Sequence, residues 1–191
     1  MIVCAGGNED FIFAKSIGIG LVESALNLTR LCLELKPTKI VFVGSCGIYD
    51  SGNILEIYKS SHAFNLEFSS LSNAFYTPAV NEICLDYNAD TIHSNVDVKK
   101  KNVSCETYKI NSSNYICQNP QAAKEFAKIG LHFENMEAFS VLFVAKKFNI
   151  QAECIVCATN FCNENAHIDF LANHSQAKKK LETYLQIHNY I

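Results

Sequence analysis

Charge is scarce in this 191-residue chain: only 18% of its residues are Asp, Glu, Lys or Arg, and the formal net charge is −3. The 16 Lys and Arg residues are scattered, so the basic patch that marks a nucleic-acid surface is missing. A small molecule is therefore the expected partner, and nucleic acid is not. No apolar run is long enough to span a bilayer, and Met1-Ile2-Val3 opens without the basic and apolar regions of a secretory signal. No membrane association is expected. Proline is confined to Pro37, Pro78 and Pro120, each isolated. With no Pro/Gly/Ser-rich linker and no internal repeat, one domain over residues 1–191 is the simplest organisation.

What is present is apolar. Residues of that kind make up 49% of the chain, enough for a packed globular core. Nine cysteines form an odd count in a chain too long for a small disulfide scaffold. Cys32, Cys46, Cys154 and Cys157 lie in apolar runs, where a reduced thiol acts as a small hydrophobe, so a reducing, cytoplasmic setting is expected. Cys154 and Cys157 lack a second Cys or His pair at metal-ligand spacing, and on a strand they point to opposite faces. No metal site is predicted. Gly18-Ile19-Gly20 lacks the third glycine and the downstream acid of a dinucleotide fingerprint.

Periodicity orders the rest. Ile2–Ala5 and Phe11–Ala14 flank Gly6-Gly7-Asn8-Glu9-Asp10, which has hairpin-turn chemistry. Leu21, Ala25, Leu28, Cys32 and Leu35 predict a helix that Lys36-Pro37 stops. Lys39 to Val43 reads as a strand buried on both faces, ending at Gly44-Ser45-Cys46-Gly47. Further strands are expected near Ile54–Tyr58, Ala63–Phe68 and Val103–Ile110, and a short helix over Pro120–Lys128 with proline in its first turn. A buried helix over Asn135–Phe148 precedes a strand over Glu153–Ala158 that ends at Thr159-Asn160. An amphipathic helix closes the chain from His167 to about His188, with Leu171, Leu181, Tyr184 and Leu185 inward. The fold class is α/β, and in such sheets ligands bind beyond the carboxyl ends of the strands.

Three segments are candidate sites, each with a plainer reading beside it. Gly44 permits close backbone approach and Ser45 offers a hydroxyl and an N–H to an anion or sugar oxygen, though such turns are often only turns. Glu137 stands at the head of the most apolar helix, where a buried carboxylate needs donors such as a ribose diol; acidic residues also favour first turns through the helix dipole. Asn160 can both donate and accept, as a purine edge requires, while Asn at a strand end is also common turn chemistry.

In order, these segments resemble the purine/uridine phosphorylase and methylthioadenosine/S-adenosylhomocysteine nucleosidase superfamily. The resemblance rests on Gly18-Ile19-Gly20, on Lys36-Pro37 through Gly44-Ser45-Cys46-Gly47, on Asn135-Met136-Glu137-Ala138 and on Ile155 through Asn160. It implies a three-layer α/β/α sandwich around a mixed, partly barrel-like sheet, assembled as a dimer or trimer of dimers. It implies cleavage of a purine nucleoside's N-glycosidic bond in purine salvage, by phosphate or by water, without a cofactor and with phosphate admitted as co-substrate. It also implies roles: Glu137 on the ribose hydroxyls, Met136 against the sugar, Ser45 beside Gly44 on phosphate or the nucleophile, Tyr115 flanking the base and Asn160 facing N7.

The chain departs from the pattern at four places. Asn160 stands where many relatives carry an Asp, and an amide delivers no proton. Phe42 stands where hexameric phosphorylases place an arginine on phosphate, and Asn135 replaces the first Glu of the Glu-Met-Glu-Ala motif. At the amino end, the preferred alignment puts Met1–Ser16 on a later hairpin, leaving the family's first strand and catalytic loop without a counterpart. The alternative makes Ile2–Ala5 the first strand, with Glu9 or Asp10 as the base. A catalytically reduced purine or nucleoside-binding protein, or a partner subunit of the same fold, is the alternative function.

Overall fold

The computed structural model of the chain describes residues 1–72, 75–85 and 108–191. Two long strands form its centre, β3 (Lys39–Ile48) and β9 (Gln151–Phe161) in chain order. They run parallel along their whole length, Lys39 opposite Gln151 and Ile48 opposite Phe161, with an irregularity between Cys46 and Gly47. Both are rich in β-branched and small apolar residues and buried on both sides, as strands of an α/β sheet are. The other edge of β3 is divided. β1 (Ile2–Cys4) pairs in parallel with its first half, and β8 (Phe133–Glu134) pairs antiparallel with Gly47 and Ile48. β2 (Lys15–Ser16) lies outside β1. β7 (Lys109–Asn111), β5 (His62–Phe64) and β6 (Glu82–Cys84) extend the sheet beyond β8, and β4 (Ile57–Ser60) covers the far edge of β9. The described residues thus form a mixed, nine-stranded sheet that forks at β3.

Alternation along β3 divides the core into layers. Ile40 and Phe42 face α1 (Gly20–Leu35) and α3 (Ala138–Phe148), packing with Leu28, Val141 and Leu142. Val41 and Val43 face α4 (Ala166–Ile187), packing with Ala177, Leu181 and Leu185. β9 alternates likewise, so Cys154 belongs to the first cluster and Cys157 to the second. The strand's two-residue period accounts for this separation. α2 (Pro120–Lys128) begins with Asn119 accepting hydrogen bonds from the N–H groups of Gln121 and Ala122, a side-chain N-cap. The result is an α/β/α sandwich. No helix among the described residues is long and apolar enough to cross a membrane.

Several expectations are corrected. Ile2–Ala5 and Phe11–Ala14 form no hairpin: β1 is parallel to both of its neighbours, so the glycine turn does not fold one strand back on another. Gly44-Ser45-Cys46-Gly47 is not a turn but the second half of β3, because β9 continues beside it through Asn160 and Phe161. α3 begins three residues later than expected. β4 and β5 are shorter and shifted relative to Ile54–Tyr58 and Ala63–Phe68. Residues 103–107 of the strand expected over Val103–Ile110 lie outside the described residues, and β7 takes its end. Leu171 is 47% exposed, because the core-facing stripe of α4 runs through Ala177, Leu181 and Leu185.

Candidate functional site

A cavity of about 250 Å³ opens at the carboxyl ends of β1, β3 and β9. The loop after β1, the ends of β3 and β9, the segment 113–116, the entry to α3 and the first turn of α4 all reach it. The structure therefore gathers Glu9, Ser45, Tyr115, Met136, Glu137 and Asn160 around one space. Gly44 falls outside the lining. A methyl placed on it would lie 3.0 Å from the Phe42 ring and 3.5 Å from Glu9 Oε2, so its missing side chain makes room for the protein's own groups.

The loop after β1 delivers Glu9. Gly6 and Gly7 take positive φ values of 94° and 61°, and the Glu9 N–H donates to Gly6 O at 3.1 Å. This tight reversal turns the Glu9 side chain toward β3. Glu9 Oε1 accepts the Ser45 N–H at 2.5 Å, and the Ser45 hydroxyl also hydrogen-bonds the carboxylate. Burial raises the Glu9 pKa, while the Ser45 bonds and the charges of Lys178 and His174 oppose the rise. Asp10 does not line the cavity. Of the two arrangements weighed for the amino end, the structure forms the one in which Ile2–Cys4 is a sheet strand and Glu9 reaches the site.

Glu137 sits where two helices begin. Its Oε1 accepts the Gly20 N–H at 2.8 Å, so the carboxylate meets the positive end of α1. Burial lifts its pKa to about 7, the Gly20 bond opposes this, and the Glu9 charge adds to the rise. Asn135, a departure in the family motif, fixes the geometry. Its Oδ1 accepts the N–H groups of Glu137 and Ala138 at 3.0 and 2.8 Å, and its Nδ2 donates to Ser45 O at 3.0 Å. One amide thus caps the entry to α3 and ties it to β3. A carboxylate there would lack the donor for Ser45 O.

Gly20 has φ +81°, and a methyl on it would lie 2.8 Å from Asn114 Oδ1, which accepts the Leu21 N–H. We expect Gly20→Ala to cost about 1–2 kcal/mol through the left-handed backbone alone, with a further loss as Asn114 is displaced. Urea unfolding measures it; an unchanged midpoint would contradict this account.

Asn160 is 5% exposed. Its Nδ2 donates to Phe161 O at 3.1 Å and its Oδ1 accepts from the Thr159 hydroxyl at 2.9 Å. These bonds set the amide's orientation and leave it one N–H and acceptor capacity for a ligand. Tyr115 lines the mouth but is 78% exposed. Phe42 is fully buried in the core, because its β-strand position faces α1 and α3 and not the cavity.

Among the lining residues that the sequence does not single out are Glu134, His167 and Phe170. Glu134, on β8, is a third carboxylate, with a pKa lifted to about 7 by burial against the hydrogen bond from Cys117. His167 and Phe170, on the first turn of α4, complete the wall. An acidic residue between Phe133 and a buried helix was the available signal for Glu134. The α4 pair gave none, being ordinary for an exposed helix start. Among the described residues no Lys or Arg lines the cavity, and no cluster of His, Cys, Asp and Glu is placed to hold a metal ion. The site can present three carboxylates, Glu9, Glu134 and Glu137, to a small ligand, with an amide as a dual donor and acceptor.

The family model for the Phosphorylase superfamily matches residues 3–187. No curated protein matches the chain by sequence. Solved structures do resemble it in fold. A mutant futalosine hydrolase from Helicobacter pylori strain 26695 superposes with a TM-score of 0.74 at 14% identity, over 97% of this chain and 95% of that one. The 5'-methylthioadenosine/S-adenosylhomocysteine nucleosidase of S. pneumoniae, with a transition-state inhibitor, gives 0.70 at 12% identity, over 94% and 93%. A mutant nucleosidase from Helicobacter pylori with 5'-methylthioadenosine in its active site gives 0.68 at 16% identity, over 91% and 79%.

Proposed function

From the premise that the chain belongs to the phosphorylase superfamily, whose members cleave glycosidic bonds of nucleosides, we propose that it hydrolyses the N-glycosidic bond of a purine nucleoside. The observation that carries this reading is the pairing of Glu9 with Ser45. A phosphate co-substrate would seek the Ser45 N–H and hydroxyl as donors. Here a carboxylate occupies both, and a phosphate dianion beside it would meet like charge. A carboxylate at that position suits water instead, as a general base.

In this mechanism Glu9 takes a proton from water as the water attacks the anomeric carbon. Positive charge grows on the sugar as the bond to the base stretches, and Glu137 holds the ribose hydroxyls beneath it. Met136 packs against the sugar and Tyr115 against the base. Asn160 spans N7 and the 6-substituent of the purine with its free N–H and acceptor. The solved relatives named above include enzymes for futalosine and for methylthioadenosine, so both join inosine and adenosine as candidate substrates. No cofactor enters the scheme, and a homo-oligomer in the cytoplasm is its setting. The test is chromatographic detection of released base from this panel in phosphate-free buffer. Release supports the reading; none from any substrate overturns it and favours a nucleoside-binding protein.

A further inference from the structure

Hydrolysis of a nucleoside needs a proton for the departing base as well as a base for water, and the amide of Asn160 has none to give. The sheet places another group at the same spot. Gly47 pairs with Asn160 of β9 on one side and with Glu134 of β8 on the other. A methyl on Gly47 would lie 3.0 Å from Asn160 Nδ2 and 3.1 Å from Glu134 Cγ. The two side chains thus converge over a strand residue that has no side chain of its own, and both line the cavity.

The surroundings of Glu134 fit a carboxyl that keeps its proton. Its two oxygens share a single backbone donor, the Cys117 N–H, at 3.1 and 3.2 Å. The Tyr49 hydroxyl and the Cys162 thiol also hydrogen-bond it; like the Cys117 N–H they bring no charge, and they only partly oppose the burial that favours its protonated form. No Lys, Arg or His forms an ion pair with it among the described residues. Glu153, by contrast, lies 2.7 Å from Lys39 and 2.9 Å from Lys59.

We propose that Glu134 is the proton donor to the departing base, taking the part that the amide of Asn160 cannot. As the bond from the anomeric carbon to the base nitrogen breaks, its electron pair passes into the base, and the Glu134 carboxyl proton goes to a ring nitrogen on the edge that Asn160 faces. Water supplies the new bond to carbon and its proton passes to Glu9. The base leaves neutral, and solvent returns the two carboxyl groups to their starting states. This rests on the hydrolase reading above.

The experiment compares two substrates with different needs. A purine nucleoside requires protonation of its leaving group, whereas 4-nitrophenyl β-D-riboside releases a stable phenolate without it. Glu134→Gln is expected to lower kcat/KM for the best purine nucleoside by about 100-fold or more, and that for the nitrophenyl riboside far less. The double variant E134Q/N160D restores a carboxyl over Gly47 and is expected to recover part of the loss. Equal losses on both substrates, or no loss on the nucleoside, would overturn the proposal. Wild-type protein that cleaves the nitrophenyl riboside but no purine nucleoside would overturn it too, through loss of its substrate. Wild-type protein inactive on both removes the hydrolase reading itself.

Discussion

Glu9→Gln is expected to lower the rate of base release by about 10³- to 10⁴-fold, the upper part of the range for a general base, while leaving the fold intact. The substitution keeps size and hydrogen-bonding reach, and a glutamine oxygen still accepts the Ser45 N–H that Glu9 holds now. What disappears is the ability to take a proton from water. The share of the acid limb of the pH–rate profile that Glu9 sets should vanish with it, leaving the share set by Glu137, whose pKa is about 7. In the proposed mechanism the wild-type rate rises with pH as Glu9 ionises, and burial raises that ionisation above the ordinary carboxylate value. Steady-state rates from pH 4 to 9, with circular dichroism on both proteins, check the prediction. A variant within a few-fold of wild type would remove Glu9 from the chemistry.

Glu137→Gln is the second large effect, at about 10²- to 10³-fold in kcat/KM, comparable with removing one group that stabilises developing charge. In the proposed mechanism the carboxylate meets growing positive charge on the sugar, and an amide keeps the Gly20 contact but not the charge. A stability measurement separates this from structural damage. The carboxyl is buried with a pKa of about 7, against an ordinary glutamate value of 4.5. Between these values the folded protein holds a proton that the unfolded chain has released, so rising pH removes stability across that window. Below about 4.5 the contribution is intact, and above about 7 it is gone. Glu137→Gln has no such proton to lose. Its stability relative to wild type should therefore rise from pH 5 to pH 8 even as its activity stays low. Loss of both at every pH would mark Glu137 as a structural residue only.

The parts legible in the sequence are those whose signal is local. The continuous apolar runs of β3 and β9 announce strands buried on both faces, and Pro120 after Asn119 marks a helix start that the structure forms at that residue. The ends of β3 and β9 were read too short, because Gly44-Ser45-Cys46-Gly47 and Thr159-Asn160 have turn composition while their extended state comes from pairing with each other. The same limit explains the amino end. Gly6-Gly7 has the residues of a hairpin turn, yet β1 is set by β3, some 40 positions along the chain. Glu134 went unread because β8 has two residues and no period to detect. Asn135 looked like a lost acid, and only the geometry shows its amide serving two helix N–H groups and one strand carbonyl.

In the proposed reaction water, directed by Glu9, takes the place of phosphate. The most direct measurement is the identity of the sugar product when the protein is given its best purine nucleoside in phosphate buffer and, separately, in phosphate-free buffer. Free sugar in both buffers, at equal rates, is the predicted result. A sugar 1-phosphate as product, formed only when phosphate is present, would contradict it.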